Sequence, residues 1–166
     1  ESELSHLVNG GENEVQLAKV MDAKTPAAIL VMSIPTLKYQ KIGHQLGKIV
    51  LQDLAWAIGD REKNDVNHFA SVFLDEFSEF AYEGFVSILN KARSANVALH
   101  LSHQALSDLT KVSVDFANSV NTNTNVKCIM GLNDPETADF YARHIGTRTE
   151  QKLTEQVAER GFFKNK

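Results

Sequence analysis

Four short apolar runs, each followed by residues spaced for a helix, constrain this 166-residue chain more than any other feature. They are Ala27–Ser33 (AAILVMS), Phe69–Leu74, Val97–Ser102 (VALHLS) and Val126–Leu132. The first is continuously apolar and closed by Pro35, the pattern of a strand buried on both faces. After it, Ile42, Leu46, Ile49, Val50, Leu54, Ala57 and Ile58 recur at three- and four-residue spacing, predicting one buried helical stripe ending at Gly59. Asp60–Asp65 then reads as a surface turn. A second helix is predicted over about Glu83–Ala95, and short helical pieces over Ala105–Leu109 and Val114–Val120, the latter running into the Asn/Thr-rich loop Asn121–Asn125. The last helix is well signalled, with Asn133 or Asp134 as cap, Pro135 in the first turn, Glu136 near the positive helix end, and closure at Gly146. Four alternations of strand and helix predict an α/β fold, an open, mainly parallel sheet with helices on both faces.

In such sheets ligands sit beyond the carboxyl ends of the strands. The residues that follow Leu74, Ser102 and Leu132 are therefore the ones that matter for function. After Leu74 come two adjacent carboxylates, Asp75 and Glu76. In ATP hydrolysis the first acid of such a pair orients Mg²⁺, usually through water, and the next polarises the attacking water. An acid pair ending a strand also arises simply from solubility or from capping the next helix. Gln104 follows the next strand, and neighbouring parallel strands would bring it beside the acids, where an amide can donate to a phosphate and accept from water. Between those strands lies Asn90-Lys91-Ala92-Arg93-Ser94. Cations there complement a helix C-terminus, while Arg93 alternatively completes a neighbouring subunit's site.

Composition narrows the class of function. A formal net charge of −4 and a pI near 5.9 exclude a surface coated for nucleic acid, so any DNA contact must be local. Lys38, Lys41, His44 and Lys48 form the one basic stretch, read either as a solvated helix face or as a phosphate-tracking surface. No run approaches the roughly 20 apolar residues of a membrane span, so this piece is expected to be soluble. The single cysteine, Cys128, cannot form an internal disulfide and is expected to be a buried, inert thiol. His100 and His103 would project to opposite faces of a strand, with no second ligand pair to complete a zinc set, and no GxSxG elbow supports a serine nucleophile. Thr147 and Arg148 follow a helix end, where contact with a neighbour is conceivable.

Several segments resemble a known family. LDEF at Leu74–Phe77, LNKARSA at Leu89–Ala95, HQALSDL at His103–Leu109 and NDPETADFYARHIGTRT at Asn133–Thr149 are similar to the type IV coupling proteins of bacterial conjugation, of the TraD/TraG type. IPTLKYQKIGHQLGKIVLQDL at Ile34–Leu54 resembles the segment that precedes that family's Walker B strand. The resemblance implies a RecA-like, FtsK-like DNA-pumping ATPase, with Asp75 and Glu76 as the Walker B pair, Asp75 on Mg²⁺ through water, Gln104 as the motif III glutamine and Arg93 acting in trans. It implies ATP and Mg²⁺ as cofactors, a membrane-anchored homo-hexamer at the cytoplasmic face of the bacterial inner membrane, and three further partners: single-stranded DNA, a relaxase or relaxosome, and a type IV secretion channel. The departure is the absence of any GxxxxGK[ST] phosphate loop, so the fold expected here is a partial P-loop NTPase, inactive alone. On this reading residues 1–26 are a linker or the tail of a preceding all-helical domain, 27–149 the C-terminal part of the nucleotide-binding domain, and 150–166 a connecting segment of a longer protein. The alternatives are a non-enzymatic docking module for relaxosome or channel proteins and a related hexameric DNA pump or helicase.

Overall fold

The computed structural model describes residues 16–23 and 28–146. In chain order these form α1 (Leu17–Met21), α2 (Gln40–Lys63), β1 (Ala70–Leu74), a 3-10 turn (Phe77–Glu79), α3 (Phe85–Ala92), β2 (Val97–Leu101), α4 (Leu106–Thr110), α5 (Val114–Asn123) and α6 (Pro135–Ile145). The α/β class and the parallel pairing predicted from the alternation are both present. β1 and β2 form a two-stranded parallel sheet in the register Ala70 with Val97 through Leu74 with Leu101.

That register sorts side chains by face, because successive strand residues alternate. Ala70, Val72 and Leu74 of β1, with Val97, Leu99 and Leu101 of β2, pack on the core. The core itself comes from Leu51, Leu54 and Ile58 of α2, Phe85, Ile88 and Ala92 of α3, and Phe116, Ala117 and Val120 of α5, with Phe77 and Leu109. The opposite face carries Ser71, Phe73 and His100, and there the Phe73 and His100 rings stack at 4.2 Å although Phe73 is 73% exposed.

Two of the four predicted strands depart from expectation. The described part of Ala27–Ser33, and the run Val126–Leu132, form no strand. Ile29 is 92% exposed, Val126 is 83% exposed, and Cys128 is exposed rather than buried. An apolar run becomes a strand only when another backbone takes up its N–H and C=O groups. Among the described residues β1 and β2 pair only with each other, and neither run is drawn up against their outer edges.

Two helices run further than predicted. α2 passes through Gly59 to Lys63, so Asp60–Lys63 is helix and not a turn. The reason is Arg61, which is 1% exposed. Its guanidinium donates to Ala95 O at 3.1 Å, Met21 O at 2.9 Å, the Asp22 carboxylate at 2.7 Å and the His68 carbonyl. One side chain thereby joins α1, the end of α2, the loop before β1 and the turn before β2. α5 likewise continues to Asn123, since Asn121 turns inward, donates to Ala117 O and accepts from the Tyr141 hydroxyl of α6 at 3.2 Å. Close packing also sets a glycine: a methyl at Gly47 of α2 would fall inside the ring of Phe80, just beyond the 3-10 turn.

Arg61→Met keeps much of the side-chain volume and removes every hydrogen bond that the guanidinium donates. It should destabilise the fold by about 2–4 kcal/mol, seen as a lower urea midpoint at unchanged slope. An unaltered midpoint would mean that these carbonyls find water at no cost.

Candidate functional site at the carboxyl ends of the strands

The site begins where β1 stops. Alternation continues past Leu74, so Asp75 falls on the same face as Phe73, and the parallel register brings Ser102 beside it. The ladder persists one step beyond the strands: Ser102 N–H donates to Leu74 O at 3.1 Å, and Phe77 N–H donates to Ser102 O at 2.9 Å. The backbone then turns sharply at Glu76, which adopts a left-handed conformation with φ 48. For a residue with a Cβ this costs roughly 1–2 kcal/mol, and it persists only where neighbours hold it. Phe77 supplies that hold. Its ring is fully buried, 4.5 Å from Phe85 and 6.2 Å from Phe116, and it fastens the acid pair to the core from one residue away.

Beyond this rim lies an open cleft of about 280 Å³. Asp75, Glu76, Ser78 and Glu79 line it from the β1 side, and Ser102, His103, Gln104 and Asp108 from the β2 side. Asp75, Glu76 and Gln104, singled out in the sequence, therefore share one wall-to-wall space. Glu79 is bridged at 2.6 Å by His44 of α2, so one member of the basic stretch pairs with a residue of the cleft wall. Lys111 holds the Asp108 carboxyl below the ordinary carboxylate range, donating at 2.8 Å, and the Ala105 N–H adds to the effect at 3.2 Å.

The donors facing the cleft are carboxylate, hydroxyl and amide oxygens, with one imidazole. Oxygen donors of this kind suit Mg²⁺. Among the described residues no three His, Cys, Asp or Glu side chains converge as a cage. His100 and His103 do not cooperate: the first stacks on Phe73, and the second meets Ala105 O through Nδ1 at 3.0 Å.

Arg93 lies elsewhere. It caps α3, four residues before β2 begins, at the amino-terminal end of the sheet, and takes no part in its own chain's cleft. Its neighbours are occupied, with Lys91 3.3 Å from Glu62 and Ser94 donating to Glu62 at 2.8 Å. Those two contacts, Ser94 first, keep the Glu62 carboxyl below its usual range. Arg93 remains exposed and makes no side-chain hydrogen bond or ion pair among the described residues. Thr147 and Arg148 lie outside the described residues.

Two positions at the site are not evident from the sequence. Ser102 reads only as a strand exit, yet its hydroxyl lies between the Asp75 carboxylate and the Glu76 backbone amide. Thr137, inside the NDPET segment, is 1% exposed; its hydroxyl accepts from Leu106 N–H at 3.1 Å and donates to Asp134, whose carboxylate also caps α6 through Thr137 N–H. The start of α6 is thus pinned to the segment that leaves Gln104. The Thr at the third helical position after an Asp cap was the available signal, though nothing local revealed its distant partner.

Residues 70–164 match the family model described as the TraM recognition site of TraD and TraG. The chain is also 31% identical over 135 residues to the type 4 coupling protein DotL of Legionella pneumophila, an alignment covering 71% of this chain and 17% of DotL. The chain therefore spans about a sixth of the length of that relative. No solved structure matches it. Among the described residues no helix is long and apolar enough to cross a membrane.

The lowered Asp108 carboxyl makes a signed statement about pH. A carboxyl whose folded value is depressed contributes stability that is present above its unfolded value and lost as pH falls through the folded one. Asp108→Asn should therefore cost about 0.5–1 kcal/mol near neutrality, and the gap to the unaltered chain should close as the solution is made acid. Denaturation midpoints measured across pH check this; a gap that is constant with pH would remove the charge from the account.

Proposed function

Because this chain belongs to the TraD/TraG-type coupling proteins of type IV secretion, we propose that it carries the water-activating half of an ATPase site in a longer DNA-translocating motor. The observation that carries the reading is the shared cleft: Asp75 and Glu76 end β1, Gln104 follows β2, and all three line one open space at the carboxyl edge of a parallel sheet.

Each residue has a chemical task there. Glu76, turned toward the cleft by its left-handed backbone, accepts the proton of the attacking water as general base. Asp75 would hold Mg²⁺ through water, and the bound ion would supply charge neutralisation for the phosphate oxygens. That charge matters because Asp75, Glu76, Glu79 and Asp108 would otherwise repel a polyphosphate. Gln104 donates its amide to the terminal phosphate and accepts from the water, so its hydrogen bonds change when the phosphate leaves. Arg93, exposed at the far end of the sheet, reaches a neighbouring subunit's site and stabilises the charge of the transferring group. The phosphate-gripping backbone comes from another part of the full-length protein, since this sequence contains no GxxxxGK[ST].

Taken as a whole, the protein works as a ring, a homo-hexamer anchored at the cytoplasmic face of the bacterial inner membrane. It delivers relaxase-bound DNA to a type IV secretion channel. The family description adds a second task favoured by its own observation. Residues 70–164 take part in recognising a TraM-type protein, so docking and motor functions share this segment. A purely docking role, without turnover, is the competing reading.

In the full-length protein, Glu76→Gln should leave ATP binding intact and reduce turnover by roughly 100-fold or more. Near-normal turnover would remove Glu76 from the role of general base. Arg93→Ala should lower turnover on the order of 1,000-fold in assembled rings and leave nucleotide affinity unchanged. The concentration dependence of turnover makes the distinction, because a helix-end role predicts no change at saturating protein.

A further inference from the structure

Ser102 occupies the junction of the two strands and contacts both acids, although its type and position mark it only as a residue leaving a strand. Its hydroxyl oxygen accepts the Glu76 N–H at 3.0 Å, and its proton goes to Oδ1 of Asp75. The Glu76 N–H also reaches Asp75 Oδ1, at 3.1 Å. One hydroxyl thus closes a small ring with the carboxylate and the amide of consecutive residues. Its own backbone is fixed on both sides, through Leu74 O and Phe77 N–H. A serine hydroxyl has one proton to give, and here it is given to Asp75.

Two consequences follow from this arrangement. Oδ1 of Asp75 is engaged by two donors, which fixes the carboxylate's rotation and leaves Oδ2 as the oxygen without a protein donor among the described residues. The Glu76 amide, which in a left-handed turn has no ladder partner, is held in place, and with it the turn that aims the Glu76 side chain. We infer that Ser102 is the positioning residue of the acid pair, setting the Asp75 oxygen offered to a hydrated divalent cation and holding Glu76 in its left-handed turn. The inference rests on the ATPase reading of the cleft and adds to it a residue from the opposite strand, so that the pair and Gln104 are set by one element, β2.

The test uses the full-length protein with Ser102→Ala and Ser102→Thr, alongside Glu76→Gln. Mn²⁺ affinity, read by electron paramagnetic resonance with a non-hydrolysable ATP analogue bound, should weaken about tenfold in Ser102→Ala and recover in Ser102→Thr, which restores the hydroxyl. The Mg²⁺ concentration for half-maximal turnover should rise by a similar factor, with KM for ATP at saturating Mg²⁺ unchanged. Amide hydrogen exchange at Glu76 should accelerate without nucleotide present, while the thermal midpoint stays within a few degrees. Unchanged Mn²⁺ affinity in Ser102→Ala overturns the inference, as does a loss that Ser102→Thr fails to restore. If Ser102→Ala does not fold, Ser102→Cys takes its place, since a thiol keeps the shape and is a weaker donor, and the same Mn²⁺ criterion applies. Normal turnover in Glu76→Gln defeats the water-activating reading of this cleft and the inference with it; lost turnover in Glu76→Gln with unmoved Mn²⁺ affinity in Ser102→Ala defeats the inference alone.

Discussion

The geometry of the candidate site depends on the parallel pairing of β1 with β2 being carried one residue past the strands themselves. Two five-residue strands are a small sheet, and their ends would fray if nothing held them. Here the pairing is locked on the far side by Phe77, whose buried ring lies among Phe85 and Phe116, so that the acid pair sits between a hydrogen-bonded ladder and an aromatic anchor. The strained φ of Glu76 is affordable because both neighbours are immobilised. Both acids line the cleft in this arrangement.

Around that rim the rest of the molecule acts as scaffold at graded distance. α2 packs its apolar stripe on the core and, through His44, reaches the cleft's outer wall at Glu79. α6 reaches the β2 side through Thr137 and the N–H of Leu106. The segment whose motif is most distinctive in sequence is therefore attached to the residues that follow Gln104, which gives a physical reason for the two to occur together. At the opposite end of the sheet Arg61 gathers four backbone and side-chain acceptors, and this stabilises the end from which Arg93 is displayed.

What the sequence disclosed, and what it hid, follows from the range of the interactions concerned. Apolar periodicity is local, so β1, β2, α2, α3 and α6 were legible, and strand neighbourhood was enough to unite Asp75, Glu76 and Gln104. Arg61 was hidden because an arginine in a charged run reads as surface until its four distant acceptors are known. Ser102 was hidden for the same reason, since its partners lie 26 and 27 residues away. The runs at 28–33 and 126–132 were misread in the other direction. Their composition is that of strands, but strand formation is a property of a pair, and among the described residues neither run pairs with another strand.

The stacked Phe73 and His100 rings sit on a sheet face that no described helix covers, with both edges of the two-stranded sheet open. Together with bare apolar segments such as Ile29 to Met32, this gives the isolated chain adhesive surfaces of the kind natural sheets normally shield. At high concentration, contact between copies of the chain would begin at that face.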